Sequence, residues 1–231
     1  MTRFFSSSAV SSCVMFTFGV LVNFSQANAQ TNSLLIKQVQ IISGDQAKVS
    51  APKDVLIRDG KIHQIASNLS KAATKADRQI DARGQFLIPG LIDSHVHLDG
   101  VPGHAAPQAK DEAMILQARK QMPRSYAYFG FTTVLDLTGD PAFIAKWNAE
   151  PAAPTAHFCA PVTIPNGYPA VWMGKELQFQ VQGTKYMLFD PAQANVYPAS
   201  FDPAMHTPQA VVTGAKKDGA NCIKVFYETG F

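Results

Sequence analysis

From residue 33 onward the chain runs in short apolar stretches broken by polar punctuation. SLLIKQVQIIS, DVLIRDGKIHQIA and RQIDARGQFLIPG are rich in Ile, Leu and Val and short enough to be strands. Asp59-Gly60 splits the second run and signals a hairpin turn, because glycine accepts positive φ at no steric cost. These runs predict antiparallel strands forming a small domain of β-sandwich type over residues 30–86. Pro89-Gly90 then marks the crossing into a new element.

Beyond residue 91 the period switches between two and 3.6. LIDSHVHL, FTTVLDLTG, TAHFCAPVTI and ANCIKVFYETG read as strands, while KDEAMILQARKQMPRSYAYFG, PAFIAKWNAE and TPQAVVTGAKKDG read as helices. Strands alternating with helices predict an α/β fold with a parallel sheet, either open and doubly wound or closed as a barrel. No glycine-rich phosphate loop follows any strand, so the nucleotide-binding open sheet loses its usual support, and with it an oxidoreductase. A (β/α) barrel is the better reading, with GYPAVWMGKELQFQVQGTKYMLFDPAQANVYP as a long loop at one end.

Residues 1–29 differ in kind. MTRFF gives a basic start, SSCVMFTFGVLVNF is apolar, and Ala27-Asn28-Ala29 has the small-x-small form of a cleavage site, so this is read as a signal peptide with the mature chain starting near Gln30. The apolar run is shorter than the ~20 residues a membrane-spanning helix needs. An exported protein, periplasmic or secreted and free of the membrane after cleavage, is expected. Cleavage removes Cys13 and leaves Cys159 and Cys222. Two thiols can pair in an oxidising compartment, but the apolar run around Cys222 favours a buried free thiol.

Composition adds exclusions. The 231 residues are 46% hydrophobic and 16% charged with a formal net charge of +3, an ordinary balance for a chain with a sizeable core. The positive excess is spread without a basic run, so neither nucleic acid nor an anionic membrane surface is indicated as a partner.

Candidate chemistry lies in LIPGLIDSHVHLDG. Successive side chains in a strand point to opposite faces, so Asp93, His95, His97 and Asp99 share one face and Ile92, Ser94, Val96 and Leu98 the other. Two imidazoles on one face at the C-terminal end of a barrel strand are placed to grip a divalent ion. His63 reads as an ordinary strand residue. His104 and His206 lie in Pro/Gly-rich loops, His157 sits near the start of the third barrel strand, and Asp136 at the end of the second reads as structural.

The run from DGKI through IDARGQFLIPGLIDSHVH, with GFTTVLD and GANCIKV further on, resembles the amidohydrolase superfamily, most closely its prolidase-like and imidazolonepropionase-like members. The hydantoinase and dihydroorotase branch often carries arginine where Asp99 stands, so the substrates of that branch are disfavoured. The resemblance implies a small β-domain followed by a (β/α)8 barrel whose first strand ends in H-x-H. It implies one or two divalent ions, zinc before others, and hydrolysis of a carbon–nitrogen bond in a small amide, dipeptide or cyclic amide by a metal-activated water.

In that family a lysine ending the fourth strand becomes a carbamate that bridges two ions, and Lys224 matches it. As metal ligands the resemblance therefore names His95, His97 and Lys224. The alternative for Lys224 is a lysine at the strand end paired with Glu228, which otherwise supports the ligands from the rim. The family's histidines of strands five and six and its strand-eight aspartate, the proton shuttle, have no counterparts here. The expectation is an inactive N-terminal half, residues 87–231 forming the first four β/α units, with a non-catalytic binding module on the same half-fold as the competing reading.

Overall fold

The computed structural model describes residues 32–69, 75–101, 111–168, 174, 177–179 and 185–226. The expected leader, His104 and Glu228 lie outside the described residues. The chain forms two compact units that divide between Leu87 and Ile88.

The first unit is one five-stranded sheet built from β1 (Ser33–Ile41), β2 (Lys53–Arg58), β3 (Lys61–Ala66), β4 (Arg78–Asp81) and β5 (Phe86–Leu87). The order is β3-β2-β1-β4, with β5 also paired to β1. Asp59 and Gly60, both with positive φ, turn β2 into β3 as expected.

Two expectations are corrected. The described strands make a single mixed sheet rather than a sandwich, and β4 and β5 run parallel to β1 rather than antiparallel. The connection over residues 67–77 is long enough for a crossover, and a crossover delivers a parallel strand.

Each face of this sheet carries a small buried cluster, while β4 and all of β3 but Ala66 are exposed. Leu35, Leu56 and Leu69 cluster on one, and Val39, Val55 and Ala82 on the other. Leu35 and Val39 are an even number of residues apart, yet they serve opposite faces. The cause is a bulge between Ile36 and Val39, where Gln38 takes φ +58° and the extra residue flips the alternation. The buried Asp54 carboxylate holds the bulge, accepting from the Gln38 amide at 3.0 Å and from the Leu69 amide at 3.2 Å.

The second unit follows the predicted alternation: β6 (Leu91–Val96), α1 (Glu112–Tyr128), β7 (Phe131–Asp136), α2 (Pro141–Asn148), β8 (Thr155–Val162), α3 (Pro208–Lys217) and β9 (Cys222–Val225). The four strands are parallel and adjacent in chain order, the layering of half a (β/α)8 barrel. Short 3-10 turns occupy the described parts of the long connection between β8 and α3. Asp140 and Thr207 cap α2 and α3, accepting from the amides of Phe143 at 2.9 Å and Ala210 at 3.2 Å, and a proline opens each helix.

The helices cover one face of this sheet. Val96, Leu98, Val134, Ala156 and Phe158 pack with Ile144 and Trp147 of α2 and with Met122 and Tyr126 of α1, while Ala160 meets Val211 and Ala215 of α3. At the two edge strands apolar side chains stay open: Ile92 is 68% and Val225 66% exposed. Among the described residues no helix is long and apolar enough to cross a membrane.

The cysteines depart from expectation. Cys159 and Cys222 form a disulfide rather than remaining free thiols. Their positions pair directly across β8 and β9, and paired positions on parallel strands project to the same face, so the register brings the two sulfurs together.

Candidate metal centre

The inner face, opposite the helices, collects the chemistry. Val96 and Leu98 are buried toward the helices, so His95 and His97 project the other way and are exposed. Their rings meet edge to face with centroids 5.5 Å apart. His95 and His97 share a face as the sequence reading has it, but a bulge between Asp93 and Val96 breaks the longer alternation: Asp93 pairs with Val134 and so lies on the helix side, while Ile92 pairs with Thr133 on the open one.

The same reasoning places Lys224. Ala160 is buried under α3, so Cys159 and Pro161 face inward; Pro161 pairs with Lys224, which shares that face and is half-buried. Strands β7 and β8 lie between it and the histidines. Its ammonium sits 5.3 Å from the centre of the Phe226 ring. His157 also faces inward, further from the C-terminal rim, whereas His206 bonds the Met187 carbonyl at 2.7 Å and stacks on Phe201. His63 is exposed on β3, with Nε2 3.5 Å from Arg58.

The sequence reading took Asp136 as structural and missed Thr138, two residues on, at the end of β7. Asp136 is buried, and its two oxygens accept the amides of Leu98 and Thr138, each at 2.9 Å. Thr138 Oγ1 in turn lies 2.7 Å from Nδ1 of His97. Burial pushes the Asp136 carboxyl up, helped by the nearby Asp99, while the two amides and His97 pull it down without offsetting burial. The signal available beforehand was the sequence D-L-T at a parallel strand's end, which puts a carboxylate and a hydroxyl at the same rim as H-x-H. On the other imidazole, Asp93 Oδ1 accepts the His95 amide at 3.1 Å.

Two imidazoles on one open face, one with Nδ1 already engaged, fit the donor set of a divalent ion. A His97 ring whose Nδ1 is occupied has Nε2 left for ligation. Among the described residues no group of three His, Cys, Asp or Glu side chains is arranged to hold an ion.

No protein-family model matches the chain. Curated proteins do: an L-hydantoinase of Paenarthrobacter aurescens is 35% identical over 65 residues, covering 28% of this chain and 13% of the hydantoinase. An imidazolonepropionase of Vibrio vulnificus is 43% identical over 61 residues, 26% of this chain and 14% of the enzyme. In three dimensions the chain is similar to a Xaa-Pro dipeptidase, with a TM-score of 0.55 and 22% identity over 84% of this chain and 46% of that one. The chain belongs to the amidohydrolase superfamily. This amidohydrolase chain spans about half the length of that solved relative, and its alignments take in about an eighth of each curated one. Besides the hydantoinase, a dihydroorotase of Citrifermentans bemidjiense is 44% identical over 66 residues, 29% of this chain and 15% of that enzyme.

Proposed function

We propose that this amidohydrolase chain supplies the first ligands of a metal centre that hydrolyses carbon–nitrogen bonds of small amides, dipeptides or cyclic amides. His95 and His97 would hold a divalent ion, zinc before others, and Lys224 on the same face is the candidate for a bridging carbamate. Such an ion supplies Lewis acidity, polarising a substrate carbonyl and making water acidic enough to ionise near neutral pH. The chain's own residues bind and orient: Asp93 anchors the backbone of His95, and Asp136 and Thr138 anchor His97. The observation that carries the reading is the pair of imidazoles on one exposed face, at the end where barrel enzymes build their sites. We further propose an exported, periplasmic or secreted protein, supported by the leader-like residues 1–29 and by the Cys159–Cys222 disulfide, since such bonds persist in oxidising compartments.

Metal binding is the direct test, because it needs only the residues named. Titrating Zn2+ or Co2+ into the chelator-treated chain should give saturable binding. His95→Ala and His97→Ala should weaken it by more than the roughly 10–100-fold that loss of an outer partner costs. Parent-like affinity in both variants would overturn the reading. One observation favours the competing non-catalytic module: the Lys224 ammonium rests over the Phe226 ring rather than on another ligand. Mass measurement of the native protein in bicarbonate separates the two, since a carbamate adds carbon dioxide and a cation held by a ring does not.

A further inference from the structure

We infer that Thr138 is a positioning residue for His97, fixing the imidazole as the tautomer with its proton on Nδ1 so that the Nε2 lone pair is presented to the inner face. The inference rests on the metal-site reading and deepens it. The 2.7 Å contact between Thr138 Oγ1 and His97 Nδ1 admits two arrangements. If the hydroxyl donates, Nδ1 is the acceptor, the proton sits on Nε2, and that nitrogen is closed to a metal. If the ring donates, Nε2 is open.

The backbone holds the contact in either arrangement, and only the second leaves Nε2 for the ion of the metal-site reading. Asp136 accepts the amide of Leu98, the residue after His97, and the amide of Thr138 itself, each at 2.9 Å. One buried carboxylate thereby ties the chain beside the ring to the chain carrying the hydroxyl, and so fixes the spacing of the two backbones from which the side chains meet. Thr138 and His97 belong to different strand termini 41 residues apart, so no local turn accounts for the contact.

Long-range proton–nitrogen correlation spectra of the metal-free chain, recorded about two units above the ordinary imidazole pKa of ~6.5, read the tautomer directly. His97 should carry its proton on Nδ1, in contrast to the Nε2-protonated form that a free histidine side chain prefers and that histidine itself shows in the same buffer. Thr138→Val removes the hydroxyl with little change in shape; His97 should revert to the Nε2 proton, and Zn2+ affinity should fall about 10–100-fold. Thr138→Ser should restore both. A wild-type His97 protonated on Nε2, or a Val variant with unchanged tautomer and affinity, overturns the inference; the wild-type spectrum decides even if the Val variant fails to fold. A wild-type chain that shows the Nδ1 tautomer but binds no ion would sink the metal reading while leaving the positioning role of Thr138 intact.

Discussion

Asp54 and Asp136 are both buried carboxylates that accept backbone amides, yet they end on opposite sides of the ordinary carboxylate pKa. For Asp54, burial is the largest single influence and raises it, but the Gln38 and Leu69 amides, the Gln38 side chain and the charge of Lys37 together outweigh burial and leave it lowered. Asp136 has two amides and Asp99 as a like-charged neighbour, and burial prevails. A carboxylate whose folded pKa is depressed binds its proton less readily in the fold than in the unfolded chain. Its contribution is complete above the unfolded value of ~3.9 and is lost as pH falls through the lower folded value. Asp54→Asn should therefore cost about 1–3 kcal/mol at neutral pH, because the amide cannot accept from all its donors, and should flatten the acid limb of stability. Urea midpoints from pH 7 to pH 2 check this. Asp77, also lowered by its Ser33 partners, keeps part of that limb in the variant.

Among the elements, every barrel-type strand and helix was legible, because periods of two and 3.6 are properties of consecutive residues. Hydrogen-bond partnership is not such a property. That β4 lies beside β1 and runs parallel to it depends on where a connection lands, and the bulge at Gln38 has no glycine or asparagine to announce its positive φ. At the site, H-x-H was legible from alternation and D-L-T placed a hydroxyl at the same rim, but the meeting of Thr138 with His97 was not legible, since it depends on the stagger between β6 and β7. Gly139, just past β7, was equally silent. A Cβ there would lie 2.5 Å from Phe158 Cβ and 3.3 Å from Ile144 Cγ1, and Phe158 cannot retreat while it fills the space under α2. Gly139→Ala should lower stability by roughly 1–3 kcal/mol through overpacking, read as a shifted urea midpoint with the m-value unchanged.

Across the whole molecule the Cys159–Cys222 bond closes a loop with a sequence separation of 63, taking in the long connection and α3. Neither cysteine announced the other, because only the register of β8 against β9 makes them neighbours. Constraining the unfolded chain over that loop is worth about 4 kcal/mol on the chain-entropy account. Reductant should lower the unfolding midpoint accordingly, and a variant with both Cys159→Ser and Cys222→Ser should start low and ignore reductant. The bond also divides the chain mechanically. Under tension applied at its two ends, force passes from Cys159 to Cys222 through sulfur, and the 63-residue separation stays slack. About 220 Å of contour, at ~3.5 Å per residue, is withheld from any pulling machinery until a reductant releases it.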